Sequence, residues 1–391
     1  MALIKLNSNS FSNWTTAIPD DSVTTAKIAD DSIQSLKNRN LIINGAMQVA
    51  QRATQVTGVT TTSYKTCDRW LAALNSLGTW TFDQSTDAPN GFSNSLKTTC
   101  TTANASPAAG AYCLLIYYIE AQNLQHLAFG TADAKSMTVS FWVKSNKTGS
   151  ASFVIRQNDN SDKMISKSYT INSANTWEYK TISIPADTAG VINNDNGIGF
   201  QLDWWLNSGT DYSSGSLQST WSTFDNTNRN ASNLGVGGSV SDYFAITGVQ
   251  LEVGDVATPF EHESFGQTLA KCQRYFYKTG DIGTSQEWYP GGSTYADYGN
   301  FHVQCFNNNE DRAAPSLRWP VALRARPTVT YYPGRSDVSN TSGSITVYNS
   351  NTLVTTSAKP SGSVLGLQAY FSGTNNDAAA YTFQVTADAE L

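Results

Sequence analysis

Charge is scarce in this 391-residue chain: Asp, Glu, Lys and Arg make up 14% of it, against roughly 25% in an average soluble domain. The formal net charge is −6 and no stretch gathers Lys and Arg. The basic stripe with which a nucleic-acid binder neutralises phosphates is therefore missing, and no nucleic-acid partner is expected. No uninterrupted apolar run approaches the ~20 residues of a membrane-spanning helix. The opening MALIKLNSNSFSNW lacks the apolar core of a secretory leader. The expectation is a chain that is made and first folds in a cytoplasm, without membrane insertion. Cysteine is sparse: Cys67, Cys100, Cys113, Cys272 and Cys305 are odd in number, widely spaced and form no C-x-x-C pair. That pattern argues against a disulfide framework or zinc site and predicts mostly buried thiols.

Signatures of catalysis are missing too. There is no G-x-S-x-G elbow, phosphate-binding P-loop or dinucleotide fingerprint. The only histidines are His126, His262 and His302, so a catalytic triad would have little to draw on. A glycosidase needs two carboxylates placed across a sugar ring, and no spacing here selects such a pair. The long short-period repeats of a parallel β-helix depolymerase are absent as well. No catalytic residue, cofactor or metal is expected.

One cluster invites the opposite reading. In GVQLEVGDVATPFEHESFGQTLAKCQRYFYK (248–278), Glu261, His262 and Glu263 stand together. A zincin needs two histidines four residues apart on one helix face, and position 266 is glycine. Adjacent side chains point in different directions, so these three groups do not converge unaided. The segment instead reads as a joint. VQLEV alternates like a strand, and Pro259 favours an extended Thr258. Ser264 and Gln267 have capping-box spacing, and Phe265, Leu269, Cys272 and Phe276 recur at helical intervals over 264–278.

Asn, Ser, Thr and Gly are abundant, as are aromatics, with 18 Tyr and 10 Trp. Residues 18–27, IPDDSVTTAK, align with 28–37, IADDSIQSLK, placing apolar residues every five positions at 18, 23, 28 and 33. That stripe fits neither a coiled-coil seam nor a strand. It predicts either burial by identical chains about a shared axis or a disordered linker. From Asn40 the pattern becomes β. Ile198, Phe200, Leu202, Trp204 and Leu206 alternate with Gly199, Gln201, Asp203, Trp205 and Asn207, and Met137, Val139, Phe141 and Val143 do likewise. The expected class is all-β, a jelly-roll-like antiparallel β-sandwich followed by a second, smaller β domain. The expected segments are 1–37 (attachment or stalk), 38–260 (sandwich), 261–278 (linking helix) and 279–391 (C-terminal tip).

Five segments carry a resemblance: NRNLIINGAMQVAQR (38–52), TCDRW (66–70), the joint, WPVALRARPTVT (319–330) and the terminal FQVTADAEL. Together they resemble a family of tailed-bacteriophage fibre and virion appendage proteins. The resemblance implies a non-enzymatic, typically trimeric virion component with a distal domain at the host surface. Its partners would be a homotrimer, other virion proteins through the N-terminal segment, and a host cell-surface glycan. The repeat at 18–37 resembles stalk repeats of other phage fibres, and YFAITGVQLEV resembles the last strand of jelly-roll carbohydrate-binding modules. The alternative is a carbohydrate-active enzyme, a depolymerase, or a free carbohydrate-binding protein. The chain is short for a long tail fibre, so tail, baseplate and head-surface locations stay open.

Aromatics are the remaining binding candidates, because sugar rings present C–H faces that stack on Trp and Tyr. Trp142 and Trp204 are expected in the core. Trp205 falls on the polar side of its strand and Trp221 in an Asn/Ser/Thr-rich loop. Trp288, Tyr289, Tyr295 and Tyr298 lie in TSQEWYPGGSTYADYGNF, a Gly-rich stretch expected to form a loop at the tip.

Overall fold

A computed structural model describes residues 38–159, 162–279, 301–304, 316–333, 344–349, 352–371 and 380–391. The stalk-like repeat, Cys305 and the stretch containing Trp288, Tyr289, Tyr295 and Tyr298 fall outside the described residues. Thirteen strands form the first unit: β1 (Gln55–Val59), β2 (Ser63–Tyr64), β3 (Trp70–Asn75), β4 (Thr79–Ser85), β5 (Ser95–Thr102), β6 (Tyr112–Glu120), β7 (Met137–Ser145), β8 (Gly149–Gln157), β9 (Lys163–Ile171), β10 (Glu178–Ile184), β11 (Ile198–Ser208), β12 (Ser222–Thr223) and β13 (Tyr243–Val253). A six-stranded sheet, β1-β4-β5-β13-β7-β10, faces a seven-stranded one, β12-β9-β8-β11-β6-β3-β2. All of their pairings are antiparallel. This is the jelly-roll-like sandwich.

Period-two alternation builds its core. Phe200, Leu202, Trp204 and Leu206 of β11 and Met137, Val139, Phe141 and Val143 of β7 are all buried between the sheets. Trp204 is the hub, with ring centroids 5.3 Å from Trp70, 5.0 Å from Phe153 and 5.9 Å from Phe141. Cys67, Cys100, Cys113 and Cys272 are buried free thiols, as the sequence predicts.

A short helix, α1 (Thr210–Ser213), lies in the connection from β11 to β13, and α2 (Phe265–Gln273) leads out of the sandwich. Ser264 caps α2, and the reciprocal bonds with Gln267 complete the capping box. The helix is about a turn and a half shorter than its pattern predicts. Phe276–Lys278 leave it to become β14, which pairs with Asp388–Thr386. Phe265, expected on the packed stripe, is 57% exposed, whereas Cys272 and Phe276 are buried.

The C-terminal unit contains β14 (Phe276–Lys278), β15 (Phe301–Gln304), β16 (Ser316–Arg318), β17 (Thr328–Pro333), β18 (Ser344–Asn349), β19 (Thr352–Gly362), β20 (Gly366–Phe371) and β21 (Ala380–Asp388). β21 is the shared strand, pairing antiparallel with β14, β15, β17 and β18. The chain's last strand thus carries this sheet back to the sandwich.

Candidate functional site

The Glu261-His262-Glu263 cluster does not converge. The Glu261 carboxylate accepts three backbone N–H bonds, from Asn38 (2.5 Å), Arg39 (2.7 Å) and Asn40 (2.9 Å), tying the start of the sandwich to its end. Glu263 pairs with Lys271 on α2. His262, largely exposed, packs one side against Phe92 and Phe260, with centroids 5.2 and 4.9 Å away, and this partial burial lowers its pKa. Among the described residues no group of three or more His, Cys, Asp or Glu could hold a metal.

Beside this turn lies a denser charge network that no sequence motif marks. Glu120, at the end of β6, is buried and accepts Arg274 Nε (2.9 Å), Arg274 Nη2 (2.8 Å) and the Tyr275 hydroxyl (2.5 Å). Burial acts to raise its pKa, but these bonds outweigh it and hold the carboxyl below its ordinary range. Arg69, whose side chain is 1% exposed, pairs with Glu390 and donates to the Tyr118 carbonyl at 2.7 Å. Its guanidinium lies 3.5 Å from the Tyr275 ring centroid. Arg69 holds φ at +75°, a left-handed conformation that is strained for a residue with a long side chain.

Arg52 lies 3.7 Å from the Phe276 ring centroid and pairs with Asp388 at 3.1 Å and Glu390 at 3.4 Å. Gln51 donates to the Phe276 carbonyl at 2.8 Å. Asp68, which accepts from Gln51, is pushed up to about 6 by burial, against those hydrogen bonds. Arg324 closes the ring, donating to the Ala389 carbonyl (2.9 Å) and the Asn196 carbonyl (2.7 Å). A groove of about 580 Å³ opens along the edge, lined by Arg52, Phe276, Lys278, Thr328, Thr330 and Asp388 among others.

The network draws on all five segments quoted above: Gln51 and Arg52, Asp68 and Arg69, Arg274 to Phe276, Arg324, and Asp388 to Glu390. What they share is one interface between the sandwich and the C-terminal sheet. Its chemistry is positioning. Each charge that touches the groove already has a partner, apart from Lys278, for which no described residue supplies one.

The sandwich aromatics need correction. Alternation puts Trp205 on the solvent side of β11, yet it is fully buried. The connection from β11 to β13 folds back over the outer side of the seven-stranded sheet and roofs it. Tyr212 lies 5.3 Å from the Trp205 ring and Arg229 4.8 Å from it, and Arg229 pairs with buried Asp203 at 2.7 Å. Trp205 thereby joins Leu114, Ile116, Val154 and Met164 in a second apolar cluster. Trp221 is half-buried as a wedge, its indole N–H donating to the Pro185 carbonyl at 2.8 Å and its ring stacked 6.2 Å from Phe200. The two tryptophans do not form one platform. Trp142, expected in the core, points outward and is half-buried. The four tip aromatics, Trp288, Tyr289, Tyr295 and Tyr298, lie outside the described residues.

No protein-family model and no curated protein matches the chain. Among solved structures, the enzymatically active domain of tailspike protein 4 of bacteriophage CBA120 is similar at 13% identity and a TM-score of 0.28, over 55% of this chain and 21% of that one. A family 11 carbohydrate-binding module from Clostridium thermocellum, in complex with a β-1,3-1,4-mixed-linked tetrasaccharide, is similar at 14% identity and a TM-score of 0.25, over 53% of this chain and 98% of that one. TmCBM61, in complex with β-1,4-galactotriose, is similar at 10% identity and a TM-score of 0.26, over 56% of this chain and all of its own (100%). The sandwich itself is read from the strand order. Against the tailspike domain, the chain spans about a fifth of the other protein's length.

Proposed function

We propose that this chain is a non-enzymatic structural component of a tailed-phage appendage, a homotrimeric fibre protein of the virion that recognises host-surface glycans. The observation that carries the reading is the joint. Each of the five segments contributes residues to one interface, where buried Arg69 is matched by Glu390 of the C-terminal unit and buried Glu120 by Arg274 at the end of the linking helix. A buried ion pair adds little net stability over an apolar pair of the same volume, but a misregistered one is costly, so it favours a single relative orientation. A particle-borne rod needs that property to keep its distal domain presented outward. Residues 1–37 attach the chain to other virion proteins, and glycan contacts lie beyond the joint, in the stretch containing Trp288, Tyr289, Tyr295 and Tyr298, with Trp221 a lesser candidate on the sandwich.

Weak single sites suffice for such a role. A shallow aromatic sugar site of millimolar affinity corresponds to about −4 kcal/mol, and three linked copies raise avidity by roughly 10² to 10⁴. The test is to locate the protein by electron microscopy in virions that encode it, and to measure adsorption of the purified full-length chain to a panel of bacterial cells. A virion position with saturable adsorption is expected. Absence from the particle, or a monomer that adsorbs to no strain, overturns the proposal.

A further inference from the structure

The outer face of the six-stranded sheet carries an aromatic strip that starts at Tyr179 and ends against the turn at Phe260 and His262. Because Met137, Val139, Phe141 and Val143 face inward, Trp142 of β7 faces out, and by register it stands beside Tyr179 of β10 and Thr247 of β13. Tyr179 is 44% exposed and its ring centroid is 5.4 Å from that of Trp142. Next to Thr247 the register of β13 shifts, and Gly248 sits there with φ at +60°. A Cβ on Gly248 would stand 2.6 Å from Phe92 Cζ and 3.0 Å from Trp142 Cδ1. This position must therefore be glycine both for its backbone and for the two rings that close over it. Phe92 continues into Phe260, centroids 5.0 Å apart, and then His262. Neighbouring strands lie ~4.8 Å apart, so a strip crossing β10, β7 and β13 runs on the order of 10–15 Å.

We infer that Tyr179, Trp142 and Phe92 form a binding site for a neutral glycan chain, distinct from the tip. The inference rests on the glycan-recognition reading above. Three features favour this occupant. The rings are stiff and present apolar surface at low conformational cost, which suits the C–H faces of pyranoses. Hydroxyl-bearing Thr181 and Ser183 alternate with Tyr179 along the exposed side of β10. The charges at the end of the strip are spoken for, since Lys144 pairs with Asp87 at 2.8 Å and Trp177 Nε1 donates to the same carboxylate at 3.1 Å. A second copy of the chain fits less well: a stable interface buries about 800 Å² per partner, whereas Trp142 and Phe92 are already half-buried and only Tyr179 stands well clear.

The experiment titrates the full-length protein with neutral hexasaccharides, β-1,4-glucan, β-1,4-galactan and α-1,4-glucan, and with purified neutral bacterial surface polysaccharide. Indole fluorescence and calorimetry are the readouts, and adsorption to bacterial cells is run alongside. Millimolar binding to at least one probe is expected. Tyr179→Ala should weaken it at least tenfold at unchanged melting temperature and Trp142→Phe by less. Probe binding that survives Tyr179→Ala and Trp142→Phe unchanged overturns the strip while leaving glycan recognition standing. Cell adsorption with no probe binding does the same. Loss of both adsorption and probe binding in the unmodified protein overturns both readings. A Tyr179→Ala variant that changes the oligomeric state replaces the glycan by a second copy as the occupant.

Discussion

Replacing Glu390 with glutamine tests the joint directly, because it removes one charge and little volume. The Arg69 side chain it faces is 1% exposed. Breaking a buried pair by removing one partner costs ~3–5 kcal/mol, since the remaining charge is stranded. Two things soften the loss: a glutamine carbonyl can still accept one bond, and Arg69 keeps the Tyr118 carbonyl and the faces of Tyr275 and Tyr117, aromatic contacts each worth ~0.5–2 kcal/mol. The lower end, ~3 kcal/mol, is therefore expected. At ~2–4 °C per kcal/mol for a unit of 150–250 residues, the melting temperature should fall by roughly 6–12 °C. The assay is scanning calorimetry of the full chain with a double-mutant cycle. Arg69→Met removes the stranded charge, so Arg69→Met with Glu390→Gln should be more stable than Glu390→Gln alone, by ~1 kcal/mol or more. The methionine would inherit the left-handed backbone that Arg69 holds, so strain is constant across the cycle. A shift below 1 °C for Glu390→Gln, or strict additivity of the two changes, would refute the argument.

Three further outcomes follow from the same geometry. Glu261→Ala strands three backbone donors and should cost ~2 kcal/mol in denaturant unfolding, whereas His262→Ala, against two phenylalanine edges, should cost under ~1 kcal/mol; metal stoichiometrically lost with His262 would contradict the structural reading of the cluster. Asp68 has a folded pKa of about 6 against ~3.9 unfolded, so its contribution is fully present below pH ~4 and lost as pH rises through 6, by up to ~3 kcal/mol; Asp68→Asn should flatten the stability profile between pH 4 and 6. Light scattering of the full-length chain should report a trimer at micromolar concentration, with a stable monomer counting against the shared-axis reading of the repeat at 18–37.

The strands were legible because alternation is a one-dimensional signal: the inward residues of β7 and β11 are the ones the pattern marks. The same signal misplaces Trp205. Alternation says which side of a sheet a residue takes but not whether that side is open, and the roof over β11 comes from Tyr212, Phe224 and Arg229 in a connection with no periodicity of its own. Trp142 shows the converse. Its neighbours Phe141 and Val143 already fix it on the outer face, so the pattern held the answer and the bulk of the residue obscured it.

The joint was half legible for a different reason. Its position was marked by the strand ending, the capping box at Ser264 and Gln267, and Pro259. Its chemistry was not, because Arg69, Glu120, Arg274 and Glu390 are brought together from four distant parts of the chain, and each alone reads as a solvated charge. In a chain with 14% charged residues, several of the few carboxylates and guanidinium groups are spent under cover. Taking a charge out of water is costly unless it is matched. A match that needs both the sandwich and the last strand makes the orientation of the two units a condition of satisfying each.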